Sequence, residues 1–327
     1  MPEPTFGLFL NLGAQLAPDH AGVFDFALRQ AELAEQLGYH DVWVTEHHFI
    51  DFGINSSALT LAAFLLGATR RLRVGTAVTL APLYHPLQLA EQAAILDQAS
   101  GGRFDFGIGR GGYLADFEAF GVDLARWDEE IDRTLETFTR AWAGPRPATP
   151  RPRTGSRPPL FAASTTPATL AKAAAVGAPL LHYFAAPAPA RVKTEAAYAE
   201  HLPGPPPIHV HTLIALVADD EAKARERLRE ALTVSFRAGD QPSVPGASGR
   251  HGSLSREELA KGVAENALIG DPRKLADDLA AFIGATGARR LAFYMEAVGD
   301  QAATLSSIEQ FAGEVRPLIA AMEHPSI

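Results

Sequence analysis

The chain is 327 residues long, with 29 Lys+Arg against 38 Asp+Glu, a formal charge of −9 and 47% hydrophobic residues; this is the composition of a globular protein with a full-sized core. With an acidic balance and no basic block longer than Arg70-Arg71 or Arg289-Arg290, there is no electrostatic footprint for nucleic acid or an anionic membrane. Cysteine is absent, which excludes disulfides, thiolate nucleophiles and cysteine metal sites and leaves catalysis to other side chains or a cofactor.

The first residues, Met1-Pro2-Glu3-Pro4, carry no basic stretch before the apolar Phe6 to Leu12, so no secretory signal is predicted. No apolar run reaches the roughly 18 residues of a membrane span, and a cytoplasmic protein is expected. Thr5 to Leu10 reads as a strand and Val23 to Leu37 as a helix stopped by Gly38. The alternation continues with Asp41 to Thr45 then Ser57 to Gly67, Leu72 to Leu80 then Leu87 to Gln98, and Phe104 to Ile108 then Asp128 to Trp142. Beyond a Pro/Arg-rich stretch come Leu160 to Ala162, a helix over Pro167 to Val176, Pro179 to Leu181, and a helix near Arg191 to Glu200. Ile208 to Val217 is strand-like, Asp220 to Leu232 and Pro272 to Ile283 are helical, Arg289 to Tyr294 is a strand, and Thr304 to Met322 is the closing helix.

About eight strand–helix units with near-continuous apolar strands predict an α/β protein whose parallel strands close into a (β/α)₈ TIM barrel, with an open doubly wound sheet as the competitor. The whole of 1–327 reads as one barrel domain with insertions at about 144–159 and 238–264, segments that are either solvated loops or covers over a site.

In such a barrel chemistry sits at the C-terminal ends of the strands. The second strand runs into Glu46-His47-His48-Phe49. Neighbouring residues on a strand point to opposite faces, so one histidine faces the mouth and the two do not share a metal. Gly107-Ile108-Gly109-Arg110-Gly111-Gly112 satisfies G-x-G-x-x-G, but no helix opens directly after it, so the dinucleotide reading fails. Arg110 among glycines instead suits a phosphate. After the fifth strand, Ser164-Thr165-Thr166-Pro167 reads as a helix cap that becomes a phosphate site only if it converges with Arg110. His209 and His211, two apart on one strand, are the competing metal signal; a structural or substrate-lining role is preferred and no metal is assigned.

With these residues in view the chain resembles the bacterial luciferase-like flavin monooxygenases. The resemblance rests on Val42 to Phe49, Leu65 to Thr69 with Val74 to Ala77, His85-Pro86, and Leu96 to Gln98 through Gly102 to Gly111, and continues weakly to Phe293-Tyr294-Met295-Glu296. It implies a (β/α)₈ barrel and a monooxygenase that takes reduced FMN (FMNH2) and O₂, oxygenating a small organic substrate through a flavin C4a-peroxide. It implies His47 as the catalytic histidine, Glu46 beside the flavin ring, and Ala77-Val78 as a cis-peptide pair under the ring. Arg110 with Thr165, Thr166 and Thr169 would hold the phosphate, a second phosphate arginine would fall near Arg126, and Gly109 stands where the light-emitting subunit has a reactive cysteine. His47, with an imidazole's ordinary pKa near working pH, is the expected proton-transfer group. Since no nicotinamide-binding fold is evident, a separate NAD(P)H:flavin reductase is expected as supplier, and a homodimer through the apolar Leu59 to Gly67 helix. The alternatives are a deazaflavin-dependent oxidoreductase of the same fold and a non-catalytic partner subunit.

Overall fold

Thr5–Leu10 (β1), Asp41–Val44 (β2), Arg73–Thr76 (β3) and Phe104–Gly109 (β5) are buried along almost their whole length, as expected of parallel strands covered on both faces. Thr79–Leu80 forms a two-residue β4 between β3 and β5 in sequence, followed by Leu160–Ala162 (β6), Leu181–His182 (β7), Val210–Leu213 (β8), Ala215–Val217 (β9), Leu268–Gly270 (β10) and Arg290–Phe293 (β11). The computed structural model describes residues 3–143, 148–153, 160–236, 242–245 and 255–323.

Every strand pairing is parallel. The order β5-β3-β2-β1-β11-β8-β7, with β6 on the far side of β5, is closed by a parallel bridge between Ala162 and Leu180. Eight staves therefore form the ring, and the (β/α)₈ barrel expected from periodicity is the fold, not the open sheet. Helices cover it: His20–Gln36 starts on the Asp19 side chain, Ala58–Ala68 on Ser57, and Pro86–Ser100 stops at left-handed Gly101, where glycine carries no Cβ penalty.

The departures from the periodic reading are local. The Leu72 to Leu80 run is broken at Ala77-Val78 into β3 and β4. Ile208 to Val217 is likewise two strands, because β9 leaves the ring after Ile214 and pairs with β10 in a separate two-stranded sheet. The second expected insertion is not loop throughout. Arg256–Asn266 is a helix fixed by a capping box between Ser255 and Glu258 and packed on Glu221–Ser235. Most of 144–159 and of 238–254 lies outside the described residues.

The N-terminal end of the barrel is a buried ionic floor. Arg290 donates through Nε to Asp41 at 2.6 Å and through Nη2 to Asp105, Arg73 donates to both Asp105 oxygens, and the Arg290 guanidinium lies over the Trp43 and Phe161 rings. Burial works against the charge on Arg290, but the two carboxylates outweigh it and raise its pKa further. Gly7 faces this cluster, and a Cβ there would overlap the Asp41 carboxylate.

Candidate active site at the barrel mouth

At the opposite end, β2 finishes at Val44 and the chain turns through Glu46, His47 and His48. The half-buried His47 packs edge-on against Phe52, and its Nε2 lies 3.2 Å from Asn11 Oδ1. Asn11 uses its Nδ2 to donate to the Phe52 carbonyl, so its oxygen faces the imidazole and selects the Nε2–H tautomer, leaving the lone pair on Nδ1. Gly53 makes room for the ring, since a Cβ there would stand 2.6 Å from His47 Cδ2. Burial first and then His48 push the His47 pKa down to about 4. The residue expected to titrate near working pH is therefore neutral there. His48 is buried against Phe120 and Phe49, 3.7 Å from Glu46.

Asn11 is itself fixed from below. Its N–H and that of Leu12 donate to Glu296 Oε1 at 2.6 and 2.7 Å, and Gln30 donates to the other oxygen. Burial raises the Glu296 pKa against these donors. Leu12 and Phe49, one residue after Asn11 and one after His48, both have positive φ, a conformation that costs a non-glycine residue roughly 1–3 kcal/mol and persists only where its surroundings hold it. Asp116, on the Leu114–Phe120 helix, is the other perturbed acid of the mouth. Burial raises it to about 6, His48 opposing and Glu46 adding to the shift.

The Ala77-Val78 peptide is cis, and the Ala77 N–H donates to the Val44 carbonyl at 2.7 Å. Gly109, at the end of β5, faces this pair: a Cβ there would overlap Val78 Cγ2. Because β5 and β6 are neighbours, Arg110 meets the segment after β6. Its guanidinium donates to Thr166 Oγ1 and, at 3.4 Å, to Ser164 Oγ. Thr166 is the N-cap residue of the Pro167–Val176 helix but makes no side-chain cap bond; its hydroxyl is turned to Arg110 instead. Thr165 is exposed and Thr169 is buried in the first helical turn. The Trp127 ring lies 4.7 Å from the guanidinium, and an exposed Asp128 carboxylate is 3.7 Å away. A guanidinium and two hydroxyls at a helix start are a geometry suited to a phosphate or similar anion. Arg126, by contrast, is taken up by Glu130 and the Tyr84 carbonyl.

Part of the second expected insertion lies over this loop. Tyr113 and Ser243 form an antiparallel bridge, Leu114 N–H donates to the Pro242 carbonyl and Val244 N–H to the Gly112 carbonyl. Of these residues Val244 is buried, while Pro242, Ser243 and Pro245 are exposed.

Residues 5–290 match the family model of luciferase-like monooxygenases. The chain belongs to this family. The alkanal monooxygenase alpha chain of Photorhabdus luminescens is 41% identical over 119 residues, 36% of this chain and 33% of that protein. The oxygenase component of a flavin-dependent trigonelline monooxygenase from Acinetobacter baylyi is 28% identical over 159 residues, 44% of each. These matches span less than half the length of either relative. A crystal structure of a monooxygenase from Streptomyces bottropensis superposes with a TM-score of 0.81 at 26% identity, covering 96% of this chain and 99% of that one.

The mouth contains residues that sequence reasoning did not select. Asn11 touches His47 and Trp127 touches Arg110. Asn11 ends a strand run, as site residues of barrels do, and that position was the available signal. The Glu46 carboxylate accepts the Ala58 and Leu80 N–H groups at 2.9 and 3.1 Å, tying the second helix and β4 to the mouth. Among the described residues no helix is long and apolar enough to cross a membrane.

Proposed function

We propose that the protein is a two-component monooxygenase that binds reduced FMN at the barrel mouth and uses O₂ to oxygenate a small organic substrate, with a separate NAD(P)H:flavin reductase supplying the flavin. The observation that carries this reading is the meeting of Arg110 with Thr166 and Ser164 at a helix start, which fits the terminal phosphate of FMN. That the trigonelline relative is the oxygenase component of its system supports the division of labour. When bound, reduced flavin supplies the electrons and the O₂ chemistry.

The chain's own side chains bind, orient and shield. Arg110 and the hydroxyls of Thr166 and Ser164 grip the phosphate; Thr165 and Thr169 flank that grip within the same segment. Ala77 and Val78, packed on Gly109, form a wall for the ring, and Glu46 holds that wall through Leu80. His47, neutral and oriented by Asn11, moves a proton at Nδ1. The 242–245 segment, bridged to Tyr113, would serve to limit water at the mouth. A homodimer fits the same reading, because Phe64 of the Ala58–Ala68 helix and Ile95 of the neighbouring Pro86–Ser100 helix are half exposed; sedimentation at micromolar concentration tests it, and a monomer would refute it.

Anaerobic titration of the purified protein with reduced FMN and with reduced deazaflavin tests the reading. It predicts stoichiometric binding of reduced FMN, and product formation when O₂ and a reductase are added. Preference for the deazaflavin would assign a hydride-transfer enzyme of the same fold, and no binding of either would assign a non-catalytic partner.

A further inference from the structure

His182 ends β7 and His211 lies in β8, and the two are direct partners in the parallel register. In-register residues on adjacent strands project to the same side of the sheet. Their imidazoles accordingly stack, with ring centroids 4.7 Å apart. The side they share is the outer one: His211 contacts Phe282 of the Pro272–Thr286 helix, and Glu195 of the Ala188–Ala199 helix reaches both rings. Glu195 Oε1 is 2.8 Å from His182 Nε2 and 3.3 Å from His211 Nε2, and the three ligand-type atoms lie within 4.8 Å of one another. His209, the partner suggested by sequence spacing, is not in this group: its Nδ1 accepts the Leu180 N–H and its ring meets Tyr198.

The three atoms converge on one carboxylate oxygen. His182 Nε2 and Glu195 Oε1 make no hydrogen bond of good geometry there, and on the other side of its ring His211 Nδ1 also lacks a partner among the described residues. His182 is only 6% exposed, so bulk solvent does not serve these atoms. Buried polar atoms of this kind call for a further partner, such as an ion. The spacings match coordination: ligand atoms about 2.0–2.1 Å from one ion are about 2.9 Å apart at a right angle and about 3.3 Å apart at the tetrahedral angle. We propose that His182, His211 and Glu195 form a binding site for a divalent transition-metal ion of the zinc class, lying between the barrel and its helices and clamping the Ala188–Ala199 helix to β7 and β8.

Two imidazoles and one carboxylate are a borderline donor set suited to Zn²⁺ or Co²⁺ and poorly suited to Ca²⁺ or Mg²⁺. Imidazole must be neutral to bind, and burial, His182, Arg191 and His209 together depress His211 to about 2. Glu195, 21% exposed on its side chain, leaves an entry path and room for a water as fourth ligand. Arg191, one turn earlier, is the cation packed against the cluster. Its guanidinium donates to the carbonyls of Ala186, Tyr183 and Thr212, and the Glu195 carboxylate offsets its charge. The site is separate from the mouth, so flavin binding does not depend on it.

The test is titration of chelator-treated, full-length protein with Zn²⁺ by calorimetry and with Co²⁺ by visible absorption. One equivalent of each should bind per chain, Co²⁺ should develop the bands of a low-symmetry nitrogen and oxygen site, and Zn²⁺ should raise the melting temperature. His211→Ala should weaken binding by about 100-fold or more, beyond the 10–100-fold typical of losing a mere outer-sphere partner. Glu195→Gln, on a partly exposed side chain that folding tolerates, should weaken it at least about 10-fold, while His209→Ala should leave it intact. Absence of stoichiometric binding to the wild type, or unchanged binding in Glu195→Gln, would overturn the proposal.

Discussion

The floor and the mouth of the barrel use the same kinds of residue to opposite ends. At the floor, Arg290, Arg73, Asp41 and Asp105 satisfy one another's charges in the buried interior. At the mouth, Arg110 meets two neutral hydroxyls and an exposed carboxylate, His47 is kept neutral, and Leu12 and Phe49 adopt left-handed backbone. The floor cluster is closed on itself in the interior, whereas the mouth sets Arg110 beside hydroxyls at a helix start, where an anion can join it. Mutations at the two ends should thus separate stability from function.

The sharpest separation is expected at His47. His47→Ala should fold normally and bind reduced FMN nearly as well as wild type, yet lose roughly 10²–10⁴-fold in product formation, the usual worth of a positioned acid or base; steady-state product assays with a reductase check this. At the floor, Arg290→Met should leave Asp41 and Asp105 short of a partner and lower unfolding free energy by about 3–5 kcal/mol, measured in urea, with flavin affinity of the remaining folded protein unchanged. Gly109→Cys, which places a side chain against Val78 Cγ2, should cost about 1–3 kcal/mol of stability by overpacking and weaken flavin binding. The smallest effect concerns pH. Because His47 is depressed to about 4, it gains its proton, and loses its function as a base, only as pH falls through that value; the acid limb of kcat/KM should lie near 4 and not near 6.5. Any limb near 6 belongs to Asp116, raised to about 6, and should vanish in Asp116→Asn.

Much of this was legible in the sequence because buried parallel strands are apolar runs and barrel chemistry follows their ends. Val42 to Phe49 and Phe104 to Arg110 announced both a strand and what it carries. The two- and three-residue strands Thr79–Leu80, Ala215–Val217 and Leu268–Gly270 are too short to have a period. The Arg256–Asn266 helix is weakly apolar, although Ser255 and Glu258 at capping-box spacing marked its start. Spacing along the chain also paired His211 with His209, when its true neighbour is His182 across the sheet. That pairing depends on strand register, which one strand's sequence does not contain. Likewise the Thr166 hydroxyl could serve as a cap or as a ligand, and only the position of Arg110 decides between them.

The central claim is that the mouth grips a flavin phosphate through Arg110. Its most direct test is the dissociation constant of reduced FMN, measured anaerobically for wild type and Arg110→Ala, with the folded state of each verified by its unfolding transition. Loss of a charged hydrogen bond worth about 1.5–3 kcal/mol predicts affinity weakened by roughly 10- to 150-fold with stability nearly unchanged. Equal affinity in a folded Arg110→Ala protein would contradict the account.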